Sequence, residues 1–178
     1  MIEGQKINIR HVCKSDLPKL IPLLNNLQMR GQYLPVGITS PELIQKNFDA
    51  DSMSTDSKET LLIVDKDNHI IGAIWHFKSV PYFNAREIGY IIFSIEQRGK
   101  GIAGESVKLL SDYLFGTRTI NRLEIRMDTK NVASEKVAAK CGYQKEGVSR
   151  EANFVNGKNI DMFAYSLLRK EWERARNE

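Results

Sequence analysis

The chain is poor in cysteine, with only Cys13 and Cys141 in 178 residues, and neither has neighbours at metal-ligand spacing. A disulfide scaffold is therefore not expected, and a reducing compartment is favoured. The five prolines and twelve glycines are too few for a fibrous or linker-like chain. No apolar run approaches the roughly 18 residues of a membrane span, and the first residues lack the pattern of a secretory signal. These absences predict a cytoplasmic globular protein without a membrane segment.

The composition is that of a folded domain with a mild excess of positive charge. Apolar residues make up 42% and charged residues 27%, and 26 Lys and Arg against 22 Asp and Glu leave a net charge of +4. This charge suits an anionic ligand and does not require a nucleic acid. The length fits one domain over residues 1–178, with an ordered core predicted for about 7–173.

Hydrophobic periodicity predicts an α/β (α+β) chain, with a central mixed, mostly antiparallel sheet flanked by about four helices. Ser15 is predicted to cap the first helix, in which Pro22 should cause a kink or break. Ser40 should cap the second helix, and Asn156 begins the turn of a C-terminal hairpin. Strands are predicted at 7–12, 61–64, 70–77, 87–95 and 123–127, loops at 28–40 and 49–58, and a short helix at 133–140.

A glycine-rich loop follows the most β-prone segment and precedes a helix, with glycines at Gly99, Gly101 and Gly104. Glycines allow close backbone approach, and amides at a helix N-terminus bind anions, most often phosphates. Arg98 and Lys100 would add positive charge for a pyrophosphate. A dinucleotide-binding loop would come directly off its strand near the start of a repeated strand–helix unit, which this loop does not. A glycine-rich turn that only leads into the helix is the structural alternative.

The segment Arg98-Gly99-Lys100-Gly101-Ile102-Ala103 fits the pattern [QR]-x-x-G-x-[GA] and resembles the signature of the GCN5-related N-acetyltransferases. Other segments resemble the RimJ/RimL-like ribosomal-protein N-acetyltransferases, in that subgroup's order. They are Glu87-Ile88-Gly89-Tyr90, the segment 131–143 that contains the short helix, and the hairpin and tail at 146–172. The resemblance covers nearly the whole chain.

The resemblance implies transfer of an acetyl group from acetyl-CoA to a primary amine, by direct attack in a ternary complex. The acceptor would be a protein N-terminal α-amine or a small-molecule amine, and no metal is implied. The fourth and fifth strands would splay apart to admit the cofactor, and Gly89 could permit a bulge there. Contacts with acetyl-CoA are implied for Phe93, Ser94, Ile95, Arg98, Gly99, Lys100, Gly101, Ile102, Ala103, Gly104 and Asn131. Asn131 could instead simply cap its helix.

Two residues are candidates for proton transfer. Glu87 lies at the start of the strand that lines the family's reaction centre, and it is the candidate base, acting through water. Alternatively, Glu87 positions the amine or pairs with Arg86. The tyrosine that many family members use as the acid is replaced by Ala138, and Ser134 is the candidate acid. Ser134 could otherwise bind a backbone amide at the helix N-terminus. Glu151 is a second candidate base.

Other interpretations follow from the same residues. The missing tyrosine favours, as an alternative, a non-catalytic acetyl-CoA-binding or sensing module, and the glycine spacing alone would suit a nucleotide-binding protein. His11, His69 and His76 show no metal-ligand spacing. Cys141 precedes a helix-ending glycine, where a cysteine is usually a small apolar residue and not a nucleophile, and Tyr143 is expected in the core. The sequence leaves open the acceptor amine and the choice between a monomer and a homodimer.

Overall fold

One eight-stranded sheet organises the computed structural model, which describes residues 1–34 and 37–177. The strands are β1 (Ile2–Glu3), β2 (Asn8–His11), β3 (Lys58–Val64), β4 (Ile70–Phe77), β5 (Ala85–Ile92), β6 (Arg122–Asp128), β7 (Gln144–Val155) and β8 (Lys158–Leu168). Their order across the sheet is β1-β2-β3-β4-β5-β6-β8-β7, and every neighbouring pair is antiparallel except β5 and β6, which are parallel. The predicted mixed, mostly antiparallel sheet is confirmed.

Helices cover both faces of this sheet. They are α1 (Leu17–Leu24), α2 (Leu27–Arg30), α3 (Pro41–Asp51), α4 (Ile102–Thr117), α5 (Val132–Lys140) and α6 (Arg169–Asn177). The described residues therefore hold six α-helices where the sequence predicted about four, since α2 and α6 were not recognised. None of these helices combines the length and apolar character needed to span a membrane.

Alternation along β3 shows how the two faces are filled. Leu61 and Ile63 belong to the buried cluster that includes α4, whereas Leu62 and Val64 belong to the cluster that includes residues of α1 and α3. Successive side chains of a strand point to opposite faces. The near-continuous apolar character of β3 therefore reflects burial on both sides, and the sheet is the middle layer of three.

Several predicted boundaries are wrong for identifiable reasons. Helix α1 continues through Pro22 and ends two residues later, at Leu24. Ser15 does not cap it: the carboxylate of Asp16 accepts from the amide of Cys13 at 2.8 Å and from Arg10 at 2.7 Å, which fixes the turn before the helix. Local sequence shows which polar residues can cap a helix, but here Asp16 is the N-cap residue and its side chain binds Arg10 of β2 and the Cys13 amide, without capping the helix.

Two predicted loops also contain regular structure. The segment 28–40 includes most of α2, whose Asn26 side chain accepts from the amide of Met29 at 3.1 Å. The segment 49–58 overlaps the end of α3, which continues to Asp51, and the first residue of β3. The predicted cap at Ser40 is present, and its hydroxyl accepts from the amide of Leu43 at 3.1 Å.

The pairing of β5 with β6 is short, and this creates the main opening in the sheet. Ala85–Glu87 pairs with Arg122–Glu124, and no further backbone pair joins the two strands within the described chain. Because β1 was not predicted, β5 and β6 are the fourth and fifth of the predicted strands. Strand β5 ends at Ile92, earlier than predicted, and a 3₁₀ turn follows at Ile95–Gln97.

Gly89 makes room for a neighbouring side chain and does not form a bulge. The register of β4 with β5 is continuous from Gly72↔Ile92 to Phe77↔Glu87, so the proposed distortion at Gly89 is wrong. Gly89 is opposite Trp75, and a Cβ atom built on Gly89 would lie 2.5 Å from the indole ring. The glycine gives the indole the room to pack flat against the strand.

We therefore expect Gly89→Ala to destabilise the protein by about 1–3 kcal/mol, because the new methyl group overpacks the indole of Trp75. Urea unfolding followed by circular dichroism measures this. Gly116→Ala is the matched control, because a Cβ atom there meets nothing within 4 Å. That variant should not lose stability, since alanine favours a helix. Equal stability of Gly89→Ala and wild type would contradict the packing role.

Candidate active site

A cleft of about 1820 Å³ opens where β5 and β6 part. Its wall includes residues 87–92 of β5 on one side and residues 125–128 of β6 on the other. The first turn of α4 and part of α5 complete it. The edges of β5 and β6 that face each other beyond Glu87 and Glu124 have no partner strand among the described residues. Such backbone groups need hydrogen-bond partners, so the cleft can receive a ligand with peptide-like amides.

The glycine loop at the start of α4 is the candidate anion cradle. Gly99 and Gly101 have φ angles of +75° and +85°, a region that favours glycine, and Gly101 is the helix N-cap. The first intrahelical bond runs from the amide of Glu105 to the carbonyl of Gly101 at 3.0 Å. The amides at 102–104 precede that bond and belong to the group that an α-helix leaves without internal acceptors. Gly104 and its neighbours Ile102 and Ala103 line the cleft, as the sequence led us to expect.

Lys6 is a residue of this region that the sequence analysis missed. Its Nζ donates to the carbonyl of Lys100 at 3.2 Å, and its backbone amide donates to Glu105 Oε1 at 2.9 Å. The turn between β1 and β2 is thereby tied to the start of α4, and an ammonium group is added beside the glycines. Lys6 and Lys100 are 94 positions apart, so no local pattern could have indicated this contact.

Arg98 has a different position from the one expected of a free phosphate ligand. Its guanidinium donates to the carbonyl of Ile92 at 3.1 Å and to the carbonyl of Met29, so it ties α2 to the end of β5. Arg98 still lines the cleft, whereas Lys100 is exposed and is not part of its wall. Arg98 thus contributes positive charge near the cradle, while its hydrogen bonds hold α2 against the end of β5.

Phe93, Ser94 and Ile95 are not brought to the cleft wall, although the resemblance implied cofactor contacts for them. Phe93 is buried in the cluster on the α1 face, and its amide donates to the carbonyl of Ile71 at 3.0 Å. The carbonyls of Ser94 and Ile95 accept from amides of the 3₁₀ turn. Because β5 ends early, residues 88–92 present the unpaired edge instead.

Glu87 lies in the cleft as expected, and its partner is Arg126. Arg126 Nε is 3.2 Å from Glu87 Oε2, and its NH2 group is 3.1 Å from Glu124 Oε2. Arg86 makes no such pair: its guanidinium donates to backbone carbonyls of Ala85 and Asp56, so the suggested pairing with Glu87 is wrong. Burial raises the pKa of Glu87 above the usual range; Arg126 opposes the rise and Glu124 adds to it.

Ser134 also lines the cleft, and its hydroxyl oxygen is 2.8 Å from the hydroxyl of Tyr90. The helix cap is supplied by Asn131, whose side-chain oxygen accepts from the amide of Ser134 at 3.1 Å. The hydroxyl of Ser134 therefore makes no bond to a backbone amide. Only the side-chain oxygen of Asn131 takes part in the cap, so its amino group is available to a ligand. Tyr90 was missed as a candidate because its partner is 44 positions away.

Ala138, at the position where the resemblance led us to look for a tyrosine, is fully buried in the core. Tyr143 is buried too, as expected. Cys141 lines the cleft, and its thiol donates to the carbonyl of Gly104 at 3.3 Å. Burial raises the pKa of Cys141 to about 11, so the thiol is protonated at neutral pH, which disfavours a covalent acetyl-cysteine. Glu151 is exposed on β7 and is not part of the cleft wall.

None of His11, His69 and His76 lines the cleft. His76 is buried, and its Nε2 atom is 2.8 Å from a carboxylate oxygen of Glu59. His69 pairs with Asp65 in the turn between β3 and β4. The histidines therefore have structural contacts and no part in the cleft.

A family model described as acetyltransferase (GNAT) domain matches residues 6–144 of the chain. Among curated proteins, Uncharacterized N-acetyltransferase p20 of Bacillus licheniformis is 35% identical over 112 residues, which are 62% of each chain. Putative ribosomal N-acetyltransferase YdaF of Bacillus subtilis (strain 168) is 39% identical over 87 residues, 49% of this chain and 47% of that one. The matches thus span less than two thirds of these relatives.

Solved structures with the same fold cover nearly the whole chain. Spermidine N-acetyltransferase from Vibrio cholerae, in complex with CoA and spermine, gives a TM-score of 0.84 at 19% identity and covers 96% of this chain and 99% of that one. RimL, a ribosomal L7/L12 alpha-N-protein acetyltransferase in complex with CoA, gives a TM-score of 0.83 at 24% identity, covering 94% and 97%. At these identities the likeness shows a shared fold.

The anion cradle can be tested by a pair of variants at Gly101. We expect Gly101→Asp to weaken acetyl-CoA binding by more than about tenfold relative to Gly101→Asn, or over about 1.4 kcal/mol. Both side chains have nearly the same size and tolerate a positive φ better than most, so the comparison isolates the negative charge. Isothermal titration calorimetry measures the affinities. Equal affinities in two folded variants would contradict a phosphate site at the start of α4.

Proposed function

The chain belongs to the acetyltransferase (GNAT) domain family, and from this premise we propose that it transfers the acetyl group of acetyl-CoA to a primary amine. The acceptor is a protein N-terminal α-amine or a small-molecule amine. One observation carries the proposal: Glu87 and the Tyr90–Ser134 hydroxyl pair line the same cleft, at the place where β5 and β6 part. A carboxylate can remove a proton from the amine, and a hydroxyl can donate one to the departing thiolate, during amine acylation by a thioester.

The cleft fits the acyl donor in shape and charge. We infer that the amides of Ile102, Ala103 and Gly104 bind the pyrophosphate, with positive charge from Lys6 and Arg98 nearby. The unpaired edges of β5 and β6 would pair with the pantetheine arm, which carries peptide-like amides. Asn131 has a free amino group at the cleft wall to donate to that arm. Bound acetyl-CoA supplies the activated acetyl group.

Glu87 and Tyr90 belong to opposite faces of β5, because they are three positions apart on one strand. We infer that the acceptor amine approaches from the Glu87 face and that the sulfur leaves toward Ser134. Glu87 takes a proton from the ammonium group through water, and the neutral amine forms the new C–N bond. The C–S bond breaks, and the nitrogen loses a further proton to solvent. The thiolate receives a proton from Ser134, which regains one from water.

The Tyr90–Ser134 hydroxyl pair also weakens the main argument for a non-catalytic sensing module. That alternative was based on Ala138 standing where a tyrosine would supply the acid. In this protein a tyrosine on β5, Tyr90, lines the cleft, and its hydroxyl bonds to that of Ser134. A proton donor is therefore available without a tyrosine on α5, and this favours catalysis over cofactor binding alone.

Thiol release from acetyl-CoA tests this function directly and separates the acceptor classes. The wild-type protein is incubated with a lysine-free peptide with a free N-terminus, the same peptide N-acetylated, an N-acetylated peptide with one lysine, and spermidine. We expect thiol release with a primary amine and none with the fully blocked peptide. Acetyl-CoA binding without release from any of them would support the sensing module instead. No binding of acetyl-CoA would contradict both functions.

The proposed base has a pH signature. Glu87→Gln keeps the shape of the side chain but cannot take a proton, so we expect the largest loss of kcat/KM at pH 6–7, where the amine is mostly protonated. The loss should shrink towards pH 9–10, because solvent has by then deprotonated an α-amine with a pKa of about 8. The wild-type profile should rise with pH and level off, and its controlling pKa should exceed the ordinary glutamate value because burial raises the pKa of Glu87.

The rival carboxylate provides the comparison for this profile. Glu151→Gln removes the other candidate base, which is exposed and outside the cleft wall. A loss that is constant from pH 6 to 10 in Glu87→Gln would show that Glu87 positions the amine only. A pH-dependent loss in Glu151→Gln with none in Glu87→Gln would transfer the role of base to Glu151.

A further inference from the structure

We propose that Tyr90 is a positioning residue for the reaction, which orients the hydroxyl of Ser134 so that its proton points to the sulfur of the acyl donor. This inference rests on the acetyl transfer proposed above. It assigns to Tyr90 a role that follows from its contacts and from the geometry of the cleft.

The bond between Tyr90 and Ser134 spans the gap between β5 and α5. The two hydroxyl oxygens are 2.8 Å apart, and both residues line the cleft. Tyr90 packs against the main hydrophobic cluster, so its ring is held in place. Ser134 is held by its amide, which donates to Asn131 at 3.1 Å. The backbone of Ser134 is thus held by Asn131, and its hydroxyl is held by the bond across the cleft.

The direction of this hydrogen bond follows from acidity. Burial raises the pKa of Tyr90 to about 12, so the phenol keeps its proton at neutral pH. Both hydroxyls can donate, and because a phenol is a stronger acid than an alcohol we infer that Tyr90 donates and Ser134 Oγ accepts. The proton of Ser134 then remains for another acceptor in the cleft. Accepting a bond from Tyr90 also stabilises the charge that builds on Oγ as that proton leaves.

A second tyrosine–serine pair in the same protein shows what a purely structural pair looks like. Tyr143 and Ser111 have hydroxyl oxygens 2.8 Å apart and are both buried, but Ser111 Oγ also donates to the carbonyl of Val107 at 2.7 Å. The hydroxyl proton of Ser111 is therefore donated to a carbonyl of its own helix. Within the part of the chain that the structure describes, Ser134 Oγ has no such carbonyl, and its hydrogen-bond partner is Tyr90.

The test is a double-mutant cycle with Tyr90→Phe and Ser134→Ala. Thiol release is measured in single turnover with saturating acetyl-CoA, using the free-N-terminus peptide or spermidine, whichever the wild-type protein acetylates. We expect Ser134→Ala to lower the rate about 100-fold and Tyr90→Phe about tenfold. The double variant should match Ser134→Ala within about twofold, because Tyr90 acts through the serine. Acetyl-CoA affinity should change by less than about twofold in each variant.

Tyr143→Phe is the matched control, since it removes the same hydroxyl from a tyrosine–serine bond of the same length. It should lower the melting temperature and leave the rate unchanged. A wild-type rate in Tyr90→Phe would overturn the proposal, as would a tenfold loss that persists in the Ser134→Ala background. Tighter acetyl-CoA binding at an unchanged rate would overturn it too, by showing that the bond only closes the empty cleft. If wild type releases no thiol, the proposed function fails, and this inference fails with it.

Discussion

Strands β5 and β6 share three backbone pairs and then part, and the cleft proposed as the binding site depends on this short ladder. Beyond Glu87 and Glu124, the facing edges of the two strands carry amides and carbonyls that need partners. Arg98 satisfies the carbonyl of Ile92 at the far end of β5. The remaining groups face a cleft wide enough for a ligand and bounded by the N-terminus of α4. Helices pack on both faces of the sheet and leave this opening between β5 and β6.

At the last residue pair shared by β5 and β6, two negative carboxylates lie beside positively charged arginines. Glu87 and Glu124 are register partners, and like charges opposite each other destabilise a sheet. Arg126 contacts both carboxylates, and Arg122 binds Glu124 at 2.8 Å from the other side. This arrangement keeps Glu87 in place and largely buried, with a raised pKa. A carboxylate held in this way is a better proton acceptor than an exposed one, which is what the proposed base requires.

Sequence predicted the features that local chemistry controls. The glycine loop and the helix after it were predicted from neighbouring residues, and the positive φ angles of Gly99 and Gly101 agree with that prediction. Lys6 and Tyr90 were missed because their contacts cross 94 and 44 positions of the chain. The early end of β5 was also missed, since the apolar run continues past Ile92 while the chain enters a 3₁₀ turn at Ile95–Gln97. The position of a side chain across the sheet is a tertiary property, and local sequence patterns do not reveal it.

Acetyl-CoA is proposed to occupy the opening between β5 and β6, with its reactive end between the two proton-transfer groups. A crystal structure of the protein with acetyl-CoA would locate the bound molecule. We expect the pyrophosphate at the amides of Ile102, Ala103 and Gly104, and the thioester sulfur within about 3.5 Å of Ser134 Oγ, the usual limit for a weak hydrogen bond. An acetyl-CoA molecule bound outside this opening, or one with its sulfur on the Glu87 face, would contradict the account.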